Sequence, residues 1–435
     1  MSLGVHVLGP GFGESVIIEL PDGSAGVIDC FADPRGGCPV VDILRETLAV
    51  KSLTFLAVTH PHADHCTGLK DLLEAFPAQR FWIFDTYQEK SFLKLLDLLY
   101  RKGARDKVEE DLRLKPGTLT AQLVFLDKQV TKALKTSEQT TFGRFNYLRP
   151  TEPLSLCDEE VTVRFLTPGD LALKKYRGQL LENWSRLVDD GPRLSPDWKL
   201  TSLNPNLISG SLLLEYGVTR ILLMGDAEEP LWREHLALDR SRAGGAVQLV
   251  KISHHGSANG YVNELYEKMC PQGPSVGIVT PFDRHRFPLP TREGIGDVRK
   301  HLSEVFCTNR IAAEDSSKLV WEPVAQVGST AGELPAKLAG LLVRNFGWAA
   351  FLAPEVGGPE TPPADKVFPA ELAAAIAEDP SLLQFVHPVF RNRHVCGSRL
   401  DLANEFRASF YFGRDGKEDI SRRYLGSGTG RLNAS

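Results

Sequence analysis

Several things are scarce in this chain, and each scarcity removes a class of protein. No apolar run approaches the roughly 20 residues needed to cross a bilayer, so no membrane span is expected. The seven cysteines are odd in number and scattered, which does not make a disulfide framework. A reducing, cytoplasmic location is the expectation, and the first eleven residues lack the basic stretch that opens a secretory signal. Excess positive charge is lacking too, since the net charge is −5. Attraction of the whole molecule to nucleic acid is thereby excluded, and any such binding must use a local basic surface. No internal repeat is evident. Histidine is the most telling scarcity: only 11 of 435 residues, and none between residues 66 and 200.

What is present concentrates in one place. His60-Pro61-His62-Ala63-Asp64-His65 puts four metal-ligand side chains into six positions. It follows the branched apolar run Leu53 to Val58, which reads as a buried strand, and precedes Thr67 to Phe76, which reads as an amphipathic helix. His60 and His62, two residues apart, can point the same way at a strand end. Asp64 and His65 lie where the chain turns into the helix and can reach a second point nearby. One turn can therefore serve two metal ions. The neighbouring Cys66 reads as a small buried apolar side chain.

Other strands end in similar chemistry. Ile221 to Met224 leads into Gly225-Asp226, and a carboxylate at a strand end can bridge two cations. Leu249 to Ile252 leads into Ser253-His254-His255-Gly256-Ser257. Neighbouring residues on a strand face opposite ways, so one of His254 and His255 is expected to be a ligand, leaving the other to meet a substrate oxyanion. Val27-Ile28-Asp29 places an early carboxylate where it can orient the His60 turn from behind.

The remainder reads as alternating strands and helices in two batches, a layered α/β protein with sheets inside and helices outside. Tyr87 to Ser137 is helical and charged, an insertion of about residues 86–150. Beyond about residue 325 the character changes. Ala350 to Pro369 is rich in Pro, Gly and Ala and reads as a linker or strap; Ala370 to Ala377 is helical, and Gly426 to Ser435 reads as a disordered tail. The segment His387 to Ser435 is net positive, and its aromatics (Phe390, Phe406, Phe410, Tyr411, Phe412, Tyr424) either pack it onto the main body or offer a stacking face.

Taken in order, these residues resemble the metallo-β-lactamase superfamily, whose His-x-His-x-Asp-His turn is matched by His60, His62, Asp64 and His65. Within it the chain is most similar to the soluble metallo-hydrolase domain of competence proteins, which take up DNA. Gly11-Phe12-Gly13-Glu14-Ser15, Gly225-Asp226-Ala227-Glu228 and Lys251 through His254-His255-Gly256-Ser257 carry that likeness. Phe287 stands where that branch tends to have histidine. The histidine-free stretch argues against a lactamase or thioester hydrolase.

The resemblance covers about residues 1–325. It implies a four-layer αββα sandwich with the helical insertion, and leaves 326–435 as a C-terminal extension of unknown role. It implies two divalent ions, zinc or manganese (iron also suits the ligands), held by His60, His62, Asp64, His65, Asp226 and His254 or His255. A bridging hydroxide would attack a phosphodiester, with Asp64 and His255 in catalytic roles. Lys251, Ser257, Arg284 and Arg286 are candidates to hold substrate phosphates. The expected activity is that of a nuclease or phosphodiesterase. A small-molecule metallo-hydrolase acting on a phosphorylcholine-type ester or a lactone, and a subunit of a bacterial defence complex that docks a protein partner through its C-terminal extension, are the rival readings.

Overall fold

The computed structural model describes residues 2–33, 37–84, 145–157, 160–189, 203–238, 245–271, 275–282, 288–309, 319–323, 406–419, 422–426 and 429–434. The helical stretch expected at 87–137, and the strap and helix expected at 350–377, lie outside these residues.

The strands are β1 (Leu3–Leu8), β2 (Ser15–Glu19), β3 (Ala25–Ile28), β4 (Leu53–Val58), β5 (Ala78–Phe84), β6 (Phe145–Leu148), β7 (Leu154–Leu156), β8 (Val161–Thr167), β9 (Ser211–Tyr216), β10 (Thr219–Leu223), β11 (Leu249–Lys251), β12 (Val276–Val279), β13 (Glu304–Cys307), β14 (Leu319–Pro323), β15 (Arg407–Phe412), β16 (Tyr424–Leu425) and β17 (Gly430–Ala434). They form two mixed sheets. One has eight strands in the order β16-β15-β1-β2-β3-β4-β5-β6, the other nine in the order β14-β17-β13-β12-β11-β10-β9-β8-β7.

Side-chain alternation explains the layering. Val5, Val16, Ile18, Phe55, Ala57, Ile221, Leu223 and Leu249 fill the space between the sheets. Their neighbours Ile17, Leu56, Val58, Leu222 and Val250 face the other way and meet the helices. Those helices are α1 (Pro39–Asp42), α2 (Ala63–Cys66), α3 (Leu69–Ala75), α4 (Asp170–Asp189), α5 (Glu229–Leu238), α6 (Asn263–Met269) and α7 (Arg292–Val298). In α4 the buried positions Leu173, Tyr176, Leu180 and Leu187 follow helical spacing and make one apolar stripe. The expected αββα sandwich is the fold observed.

Strands β3 to β6 run parallel, as do β10 to β13. Their carboxyl ends open toward the loops that follow, the usual place for a site in such sheets. Asp29 follows β3, His60 follows β4, Asp226 follows β10, His255 follows β11 and Thr280 follows β12.

The late strands correct one expectation. Gly430–Ala434 lies at the position read as a disordered tail, yet it is a strand pairing with both β13 and β14. Likewise β15 pairs along the whole of β1. The described part of 326–435 thus adds strands to both sheets, and Phe406, Phe410 and Phe412 are buried. Their aromatic rings pack rather than offer a face. No helix among the described residues is long and apolar enough to cross a membrane.

Candidate metal centre

Asp226 lies at the middle of the cluster. Its Oδ2 is 3.6 Å from His60 Nε2, 3.5 Å from His65 Nε2 and 3.8 Å from His255 Nε2. His60 Nε2 is also 2.9 Å from His62 Nδ1, while Asp64 Oδ2 is 3.1 Å from His255 Nε2 and 3.4 Å from His65 Nε2. Two groups therefore share Asp226: His60 with His62, and Asp64 with His65 and His255. Donors on a tetrahedral ion with bonds of about 2.1 Å stand about 3.4 Å apart, so these spacings fit metal ligands. Buried His65 Nε2 and Asp226 Oδ1 have no hydrogen-bond partner, as befits atoms that would hold a cation.

The ring tautomers fit as well. Asp29 accepts the Thr59 N–H at 2.8 Å, the Thr59 hydroxyl at 2.6 Å and His65 Nδ1–H at 2.8 Å. With its proton given to Asp29, the Thr59 oxygen accepts from His60 Nδ1, 3.0 Å away. His255 Nδ1–H donates to the Thr280 carbonyl at 3.0 Å. With Nδ1 so engaged, Nε2 is the atom that each of the three histidines turns toward Asp226, and the one that would bind a cation. Asp29 thus orients ligands in both groups.

The charges are strongly coupled. Burial alone would push the Asp64 and Asp226 carboxyls up, but His65 and His255 hold both well below the usual carboxylate range. Burial would likewise lower His65, yet Asp226, Asp64 and Asp29 raise it well above its ordinary value. His60 is depressed by burial and by the neighbouring His65 and His62. The Asp29 carboxyl is pushed up by burial, against the pull of His65.

Of His254 and His255, the structure brings His255 into the cluster. The reason differs from strand alternation, because both residues lie in a turn after β11 with left-handed backbones, φ 45° and 51°. His254 instead points to the rim. Its Nδ1 is 3.0 Å from Asn259 Oδ1 and 3.5 Å from Glu228 Oε1, and its Nε2 is 3.4 Å from Asn206 Nδ2. Gly256 continues the turn at φ 76°, where a Cβ would lie 2.6 Å from Pro290 Cβ. Glycine is required there.

Lys251 needs correction as a phosphate-holding residue. It is 1% exposed, and its Nζ lies 2.6 Å from Glu14 Oε2. Strand alternation turns it into the interior, where its ammonium is paired rather than presented at the surface. Ser257 is half-buried beside the His254 turn. Arg284 and Arg286, like Phe287, lie outside the described residues. Phe282, just before them, stacks on the His255 ring at a centroid distance of 5.1 Å.

Sequence reasoning did not name Thr59, Thr280 or the rim residue Asn206, and it carried Glu14 and Glu228 only as letters of longer motifs. Glu14 was visible only as one letter of a glycine-rich turn. Nothing local marks Thr280, whose role depends on what β12 lies beside.

Residues 8–120 match the family model described as metallo-beta-lactamase superfamily. That match supports placing the chain in this superfamily, and it spans the His60 turn. No curated protein matches the chain. Among solved structures, the metallo-beta-lactamase fold protein YhfI from Bacillus subtilis is similar at 11% identity and TM-score 0.33, over 70% of this chain and 95% of that one. Yeast PDE1 is similar at 12% identity and TM-score 0.31, over 64% and 88%. A long form RNase Z from yeast shows 9% identity and TM-score 0.32, over 65% of this chain and 37% of that one. Scores of this size carry nothing about substrate.

Proposed function

We propose that the chain is a metal-dependent phosphodiesterase acting on nucleic acid, with two divalent ions, zinc or manganese, at the Asp226 cluster. The superfamily is one of hydrolytic metalloenzymes, and the shared carboxylate carries the reading. One oxygen, Asp226 Oδ2, faces a histidine nitrogen of each group at 3.5–3.8 Å. Two divalent ions so held would supply a nucleophile at neutral pH and offset charge on the attacking and leaving oxygens of a diester.

The chain's own residues do the rest. His60 and His62 would hold one ion; Asp64, His65 and His255 the other. Asp29, Thr59 and Thr280 keep the imidazoles aimed, so that little reorganisation accompanies reaction. His254 is 20% exposed at the rim and meets the diester's phosphoryl oxygens there, positioned by Asn259 and Asn206. The likeness of Gly225–Glu228 and His254–Ser257 to the DNA-uptake branch, with no histidine between 66 and 200, supports a diester over a lactam or thioester.

The test is metal analysis followed by incubation with single-stranded and duplex DNA, RNA and chromogenic diesters, with and without chelator. Chelator-sensitive cleavage of a nucleic acid is the expected result. Turnover of lactones or small esters with no diester cleavage would replace this reading with a small-substrate hydrolase.

A further inference from the structure

Glu14 is 2% exposed on the loop between β1 and β2, yet it touches almost every part of one group of ligands. Its backbone N–H bonds the Asp64 carbonyl at 2.9 Å, and its Oε2 lies 3.4 Å from His255 Nδ1. The same oxygen accepts the Thr280 hydroxyl and the Lys251 ammonium, the latter at 2.6 Å. One carboxylate oxygen of Glu14 lies within 4.8 Å of donor atoms on His65, Asp226 and His255. A buried Lys–Glu pair is poor value as a stabiliser, since apolar residues of like volume serve as well or better. This pair instead sits against the site, with Glu14 in contact with both the ammonium and the ligand His255.

We infer that Glu14 is a positioning carboxylate of the Asp64–His65–His255 half of the metal centre, with Lys251 as its counter-charge. This rests on the dinuclear reading above. Glu14 and Thr280 together fix the His255 ring from behind, and the Glu14 charge offsets an ammonium that would otherwise repel a dication. Removing the carboxylate exposes that half to Lys251; removing the ammonium leaves an extra anion beside it. The two single variants should therefore move metal affinity in opposite directions.

The experiment is titration of metal-free protein with Zn²⁺ and with Co²⁺, reading stoichiometry, affinity and the Co²⁺ d–d spectrum. Glu14→Gln should lose affinity for one of the two ions by about 10–100-fold and alter the Co²⁺ spectrum, while Lys251→Met should bind both ions at least as tightly as wild type. Equal losses in both variants would mean that the pair only holds the fold together, and would overturn the inference. So would two ions bound normally by Glu14→Gln. If either single variant fails to fold, Glu14→Gln/Lys251→Met, with no buried charge left alone, carries the test: weakening of one ion supports the inference, and wild-type affinity for both overturns it. A wild-type protein that binds no ion would overturn the dinuclear reading itself, and this inference with it.

Discussion

Asp64 shows how a residue can be cheap for the fold and costly for the chemistry. It sits in α2, a helix of a single turn, and its carboxylate faces His65 and His255 rather than an apolar core. Those two histidines keep it ionised at neutral pH against the effect of burial. Asp64→Ala should leave the fold intact, because little packing is lost, and should lower diester turnover by about 10²-fold or more, the order seen when one charge-stabilising group is removed. Circular dichroism and single-turnover rates check the two halves of that expectation. Near-wild-type turnover with bound metal unchanged would remove Asp64 from the site. The left-handed backbones of Asp29 (φ 58°), His254 and His255 belong to the same economy. Each costs about 1–2 kcal/mol, and such strain gathers where geometry matters more than stability.

At the scale of elements, α4 and α5 are joined by a cap that neither sequence advertises. Glu234 of α5 accepts the Leu171 and Ala172 N–H groups at the start of α4, at 2.7 and 3.1 Å. A helix N-terminus favours an anion, since its first N–H groups have no partner within the helix. Gly169 makes room, because a Cβ there would lie 2.4 Å from the Glu234 carboxylate. Glu234→Ala should cost about 1–2 kcal/mol, the range for a lost cap, and lower the melting temperature by a few degrees. Metal binding should be unchanged, since the Glu234 carboxylate bonds the start of α4 and not the ligands. A variant that melts normally would show that solvent replaces the cap without loss.

At the scale of the molecule, the ends of the chain close the sandwich. Strand β15 covers the edge of β1, and β17 lies between β13 and β14. Arg422 stacks over Tyr411 at 3.9 Å, and Arg423 pairs with Glu418 at 2.5 Å, so some C-terminal arginines are used internally. Truncation after residue 350 should therefore leave two strand edges open and strip partners from the inter-sheet core. The product should be insoluble or unfolded, because open apolar edges aggregate. A soluble truncated protein with wild-type metal content would show that residues 1–350 form the sandwich alone.

The sequence by itself determined the parts whose physics is local. Apolar runs of the right length gave β4, β10 and β11, and the ligand types at their ends announced a metal centre, because three histidines in six positions have few other uses. What it left open depended on partners far away in the chain. Whether His254 or His255 joins the cluster was decided by a left-handed turn and by Thr280 just after the next strand. Lys251 reads as a surface cation until β1, β11 and β12 come together and place Glu14 against it. The last strands lacked any long apolar run, and only pairing with β1, β13 and β14 gave them order. Strand ends can be read from one segment; what a buried charge or an edge strand meets is a property of the assembled sheets.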